Sequence, residues 1–157
     1  MNERTWSVET LSARHQKVAL DSNILIYLLD DTGRLGEQAG TLIDAVDEGR
    51  LAGVIASIAV VEALTGPARS GDGAAFERAA DEIRSLRLDV VGLDGSIAED
   101  AAQLRGRRAG LGLQDAVHLA TARAVKATAF ITNDRRIGTI PQLEVFILDQ
   151  LGADATT

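Results

Sequence analysis

The sequence predicts an α/β domain: a central, mostly parallel sheet of about five strands with helices on both faces. Two observations carry that prediction. Short apolar runs alternate with longer stretches whose apolar residues recur at helical spacing. Strands separated by helices must be joined by right-handed crossovers, which make a sheet parallel and cover its faces. A length of 157 residues suits one compact domain rather than two. The chain is 46% hydrophobic but only 3% aromatic, so Leu, Ile, Val and Ala must build its core.

The elements follow in order. Residues 1–16 read as a polar N-terminal extension with Trp6, Val8 and Leu11 available for docking; they lack the apolar stretch of a secretory signal. Residues 17–20 are apolar and lead through Asp21-Ser22-Asn23 into a helix that Ser22 or Asn23 can cap, and that Asp31-Thr32-Gly33 breaks. Residues 35–48 form an amphipathic helix with Leu35, Ala39, Leu42, Ile43 and Val46 on one face. A second strand spans 53–56. Ser57 can cap the next helix, 58–65, which Gly66-Pro67 stops. A helix over 73–86 and a third strand over 88–93 follow. Ser96 and Glu99 match a capping box opening a helix to about Arg108. After Gly110 and Gly112 come a helix over 113–126 and strands at 128–132 and 143–148. The domain is thus expected over 17–150, with residues 151–157 a frayed tail.

Composition narrows the chemistry. Without cysteine, disulfides, thiolate metal sites and Cys nucleophiles are excluded, and a reducing cytosol is the expected compartment. No apolar run is long enough to span a membrane. The net charge of −7 argues against a nucleic-acid partner, because phosphate contacts want Lys and Arg. Carboxylates gathered around a cation inflate that count, however, and the bound cation reverses the local sign. Basic residues do cluster locally: Arg105, Arg107 and Arg108; Arg123 and Lys126; Arg135 and Arg136.

Four acids stand where strands end or helices begin: Asp21, Glu62, Asp115 and Asp134. Asp21 and Asp115 each have an ordinary reading as residues favoured by a helix N-terminus. Asp134 reads equally as a turn residue after a strand. Glu62 is harder to explain away: its neighbours Val60, Val61, Ala63 and Leu64 are apolar, and no basic residue lies within one helical turn of it. In parallel sheets ligands bind beyond the carboxyl ends of the strands, where all four acids can lie. Together they suggest a site for a hard cation such as Mg²⁺ or Mn²⁺. His118, one turn beyond Asp115, reads as a packing residue or a partner of Asp115 rather than a ligand. Asn23, Thr132 and Asn133 are caps, or groups that orient the acids. Arg107 and Arg108 read as a solvated face that could grip a phosphate backbone.

The stretches LDSNILIYLLD, ASIAVVEAL, LGLQDAVHLATA and ITNDRR, in that order, give the chain a resemblance to the PIN-domain ribonucleases, most closely the VapC-type toxins of toxin–antitoxin modules. The resemblance covers residues 17–148. It implies a PIN-like three-layer α/β/α sandwich and a Mg²⁺- or Mn²⁺-dependent endoribonuclease with Asp21, Glu62, Asp115 and Asp134 as acidic quartet. Ser22 and Asn133 fall where the family places supporting polar groups. It also implies a homodimer, inhibited by a small VapB-like antitoxin whose C-terminal segment enters the active-site groove. In that chemistry Asp21 and Asp115 are the principal ligands, Glu62 completes the shell or holds a water, and Asp134 positions a second ion or the attacking water. The extension before the first strand is longer than the family's usual start.

Other readings fit less well. A haloacid-dehalogenase-like phosphatase wants a second Asp two residues after the first, where this chain has Asn23. A response-regulator receiver wants a Lys after a late strand, whereas Lys126 precedes one. The intact quartet argues against a catalytically silent PIN-like module that only binds RNA or protein.

Overall fold

The computed structural model describes residues 4–30 and 33–152. Asp31 and Thr32 of the expected break lie outside them; Gly33, at φ +67°, opens the next helix. The described elements are α1 (Val8–Arg14), β1 (Lys17–Leu20), α2 (Ser22–Asp30), α3 (Gly33–Asp47), β2 (Ala52–Ala56), α4 (Ser57–Arg69) and α5 (Gly73–Ser85). They continue with β3 (Leu88–Val91), α6 (Gly95–Arg107), α7 (Leu113–Ala124), β4 (Ala129–Thr132) and β5 (Glu144–Ile147), with 3-10 turns at Arg135–Ile137 and Leu148–Gln150.

The strands form one sheet in the order β3-β2-β1-β4-β5, every neighbouring pair parallel. Leu20 of β1 stands in register with Ile55 of β2 on one side and Ile131 of β4 on the other. Central strands of a parallel sheet are buried on both faces, hence their near-continuous apolar sequence. Side chains alternate between the faces. Val18, Leu20, Ala129 and Ile131 pack with α1 to α5, while Ala19 and Phe130 pack with α6 and α7. Two apolar cores around one sheet make the three-layer α/β/α sandwich the sequence predicts. Gly53 permits the tight fit of β2: a Cβ there would stand 2.7 Å from Leu88 and 3.0 Å from Val46. Among the described residues, no helix is long and apolar enough to cross a membrane.

Several local expectations are corrected. α4 does not stop at Gly66-Pro67 but runs to Arg69. Pro67 lies in its last turn, where a missing N–H removes a single main-chain bond from a helix end. Ser57 is the first residue of that helix rather than its cap. The cap of α6 is Asp94, which accepts from the Ile97 N–H at 2.8 Å, so the expected capping box at Ser96 does not form. Asp precedes the helix by the right offset and accepts more strongly than a hydroxyl. β3 ends at Val91, short of Leu93.

The segment before β1 shares the main core. Ser7 and Thr10 cap α1 reciprocally, each accepting the other's N–H at 3.1 Å. Trp6, Val8 and Leu11 are buried. The Trp6 indole donates to the Ile147 carbonyl at 2.8 Å and meets Phe146 edge-on, with centroids 5.2 Å apart. At the other terminus Leu151 is buried and bridges to Trp6. Residues 153–157 of the expected tail lie outside the described residues.

Candidate active site

The strand order reverses between β1 and β4, the place in a parallel sheet where crossovers diverge and leave a crevice. Asp21 is the first residue beyond β1 and its N–H donates to the Ile131 carbonyl of β4 at 2.9 Å. It is only 5% exposed, so its carboxylate needs donors, and it has them. Oδ1 accepts from the Ser22 N–H at 2.8 Å, and Oδ2 from the Thr132 hydroxyl at 2.7 Å and Asn23 Nδ2 at 3.5 Å. The fully buried Thr132 hydroxyl in turn accepts from Asn23 Nδ2 at 3.3 Å and from the Asp134 N–H at 3.0 Å. Asn133 ties the network outward, accepting from the Asp149 N–H at 3.0 Å and donating to the Tyr27 hydroxyl at 3.4 Å. Ser22 and Asn23, expected either as caps or as polar groups supporting the acids, donate their side chains to the acids.

Glu62, in the second turn of α4, reaches the same place. Its Oε2 accepts from the Ser22 hydroxyl at 2.9 Å and its Oε1 pairs with His118 Nε2 at 3.0 Å. The His118 hydrogen bond is the main cause holding the Glu62 carboxyl below its ordinary range; burial opposes it, and Ser22 and the His118 charge assist. His118 Nε2 also lies 3.5 Å from Asp21 Oδ1. His118, read as a packing residue or a partner of Asp115, is buried and bridges Glu62 and Asp21, and it acts on Asp115 through charge. Along its own helix Glu62 has no cationic neighbour, and the partner arrives from α7 on the opposite face of the sheet. The signal available in the sequence was position, since His118 follows Asp115 by one turn and shares its helix face.

Asp115, in the first turn of α7, has its carboxyl pushed up, first by burial and then by the charges of Asp21 and Asp134; His118 and Arg136 offset part of this. Asp134 caps the 3-10 turn after β4 and is clasped by Arg136, whose Nε and Nη2 each donate to it at 2.9 Å. That pairing is the main cause lowering the Asp134 carboxyl. Asp21 and Glu62 are thus joined directly through Ser22 and His118, whereas Asp115 feels Asp21 and Asp134 through charge. Among the described residues, no three His, Asp or Glu side chains are gathered closely enough to hold a metal. The donor chemistry nonetheless fits a hard cation: carboxylate oxygens at one crevice, with excess negative charge registered at Asp115.

Two recesses flank the acids. A groove of about 790 Å³ between α2, α4 and α5 is lined by Ile26, Leu29, Glu62, Arg69 and Arg78, among others. A smaller recess of about 320 Å³ is lined by Arg108, Leu111, Asp115, Arg136 and the intervening glycine backbone.

A five-stranded parallel sheet between helical layers, with acids at the strand-order reversal, defines a class of α/β protein with a carboxylate-lined crevice. Residues 18–143 match the PIN domain family, and the chain belongs to it. Among solved structures it is similar to a toxin–antitoxin complex from Klebsiella pneumoniae, with a TM-score of 0.63 and 25% identity over 80% of this chain and 94% of that one. It also matches FitAcB from Neisseria gonorrhoeae at TM-score 0.68 and 19% identity, over 85% of this chain and 99% of that one. The Mycobacterium tuberculosis toxin VapC20, described as cleaving the sarcin–ricin loop, matches at TM-score 0.58 and 15% identity, over 72% of this chain and 86% of that one. These last two likenesses concern the fold. A comparison with curated proteins finds no match.

Proposed function

We propose that the chain is a divalent-metal-dependent endoribonuclease and the toxin of a toxin–antitoxin pair. The observation that carries the reading is the buried Asp21 carboxylate at the end of the central strand, linked through Ser22 and His118 to Glu62. Membership of the PIN family supports it, as does the similarity to a toxin–antitoxin complex from Klebsiella pneumoniae. On this reading RNA is the substrate, a small VapB-like antitoxin is the inhibitor, and the protein works as a homodimer.

Asp21 and Asp115 are the principal ligands of Mg²⁺ or Mn²⁺, with Glu62 and Asp134 completing the acidic set. When bound, such an ion lowers the pKa of water and stabilises charge on a phosphate. The chain's own groups supply orientation. Thr132 and the Ser22 N–H fix the two oxygens of Asp21, Ser22 and His118 fix those of Glu62, and Arg136 holds Asp134. Asn23 and Asn133 hold the two loops that carry these groups together; the Asn133 N–H donates to Asn23 Oδ1 at 3.3 Å. Positioning of this kind brings hydrolysis within reach because a held reactant needs no further ordering.

Purified protein incubated with total cellular RNA tests the reading. Discrete fragments are expected with Mg²⁺ or Mn²⁺, none with chelator, and none from the Asp21→Asn/Asp115→Asn double variant. Folded protein that cleaves no RNA with either ion would overturn it.

A further inference from the structure

Arg108 follows α6 directly and folds its side chain over the turn that carries Arg136. Its Nη2 donates to the Arg136 carbonyl at 2.8 Å, and its Nη1 is buried and makes no hydrogen bond among the described residues. A buried guanidinium N–H without an acceptor is costly, so the fold holds this side chain in place against a penalty. Gly138, at φ +65°, lies against the side chain: a Cβ there would stand 3.2 Å from Arg108 Nη2. Arg105 Nε donates to the Leu111 carbonyl at 3.2 Å and props the 108–112 loop that forms the wall of the recess.

Arg108 and Arg136 line that recess together with Asp115, at the edge of the acidic crevice. The recess, about 320 Å³, is the size of a small ligand site. Arg136 spends its charge on Asp134, whereas Arg108 donates to a carbonyl and keeps its charge for another anion. A chain of net charge −7 that cleaves a polyanion needs such a cation where the substrate leaves the acids. We propose that Arg108, with Arg136 beside it, is a substrate-binding residue that grips the RNA phosphate adjoining the one to be cleaved. The proposal rests on the nuclease reading above and adds to it a site on the α6–α7 side.

The test is equilibrium binding of a labelled, short, mixed-sequence single-stranded RNA, in chelator so that the probe survives, across a salt series. Arg108→Gln removes the charge together with the bond to the Arg136 carbonyl; Arg108→Lys keeps the charge. Arg108→Gln is expected to weaken binding about tenfold. It should also flatten the slope of log affinity against log salt by about 0.7, the value for one lost single-strand phosphate contact. Arg108→Lys should retain the wild-type slope. A purely structural strut would leave the slope unmoved, so equal affinity and slope in Arg108→Gln overturns the proposal and leaves the nuclease reading to the cleavage assay. Arginines grip phosphate without metal, so a wild type that binds no RNA in chelator overturns it too, whether or not the protein cleaves with metal present.

Discussion

The two ends of the sheet carry nearly the same parts to opposite effect. At the amino end, His15 pairs through Nδ1 with the Thr128 hydroxyl at 2.7 Å and through Nε2 with Glu144 at 2.8 Å; Arg14 adds a guanidinium to Glu144 at 2.6 Å. At the carboxyl end, His118 pairs with Glu62 and approaches Asp21, which accepts from the Thr132 hydroxyl. Both ends hold a buried histidine, a threonine and a glutamate. The difference is charge. The amino end sets one carboxylate against Arg14 and the His15 ring and is a staple for the segment before β1. The carboxyl end sets four carboxylates against His118 and Arg136, and the Asp115 carboxyl is raised first by burial and then by the charges of Asp21 and Asp134. A surplus of like charge near a buried crevice costs stability and persists where function uses it.

The largest effect should come from Asp21→Asn. The amide keeps an acceptor for the Ser22 N–H and removes one charge from the surplus. Metal-dependent cleavage is expected to fall more than roughly 100-fold, beyond the range seen when only a group supporting a ligand is changed. Metal-free thermal stability is expected to hold or rise. Loss of stability alongside activity would show that Asp21 is a structural acid like Glu144.

His118→Ala sharpens the comparison from the other side. It leaves the oxygens of Glu62 dependent on Ser22 alone and brings Asp21 and Glu62 into unrelieved repulsion. Cleavage measured at saturating Mg²⁺ should drop roughly 10- to 100-fold, the usual effect of removing a group that orients a ligand. Unchanged rates would reduce His118 to a counterpart of His15.

The smallest effect on activity belongs to the staple. His15→Ala removes the bonds to the Thr128 hydroxyl and to Glu144, which Arg14 still holds, together with the edge contact to Phe146, and should cost about 1–3 kcal/mol in chemical denaturation. The cleavage rate per folded molecule should not change. A matching fall in rate would mean that the two ends of the sheet are coupled, and the contrast between them would fail.

Much of this was legible because the periodic signals are local. The run 17–20 lies between polar residues and became β1 as expected, and the amphipathic pattern of α3 buries Ala39, Leu42, Ile43 and Val46. The misreadings sit where two local signals compete. Asp94 and Ser96 both precede a helix, and the carboxylate captured the free N–H groups. Gly66-Pro67 looks like a stop, but a helix in its last turn has few bonds left to lose. The candidate site divides the same way. All four acids could be picked out from their places at strand ends and helix starts, whereas the His118–Glu62 pair joins residues 56 positions apart.

The sequence by itself determined the alternation of strand and helix, the parallel sheet that follows from it, and the acids standing at its carboxyl end. Those are consequences of side-chain period and of the few ways a chain can connect parallel strands. Only the tertiary structure decided who neutralises whom: His118 against Glu62 and Asp21, Arg136 against Asp134, Arg108 with a buried N–H and no acceptor among the described residues. Charge pairing depends on distances of a few ångströms between side chains brought in by different elements, and no periodicity along the chain encodes those distances.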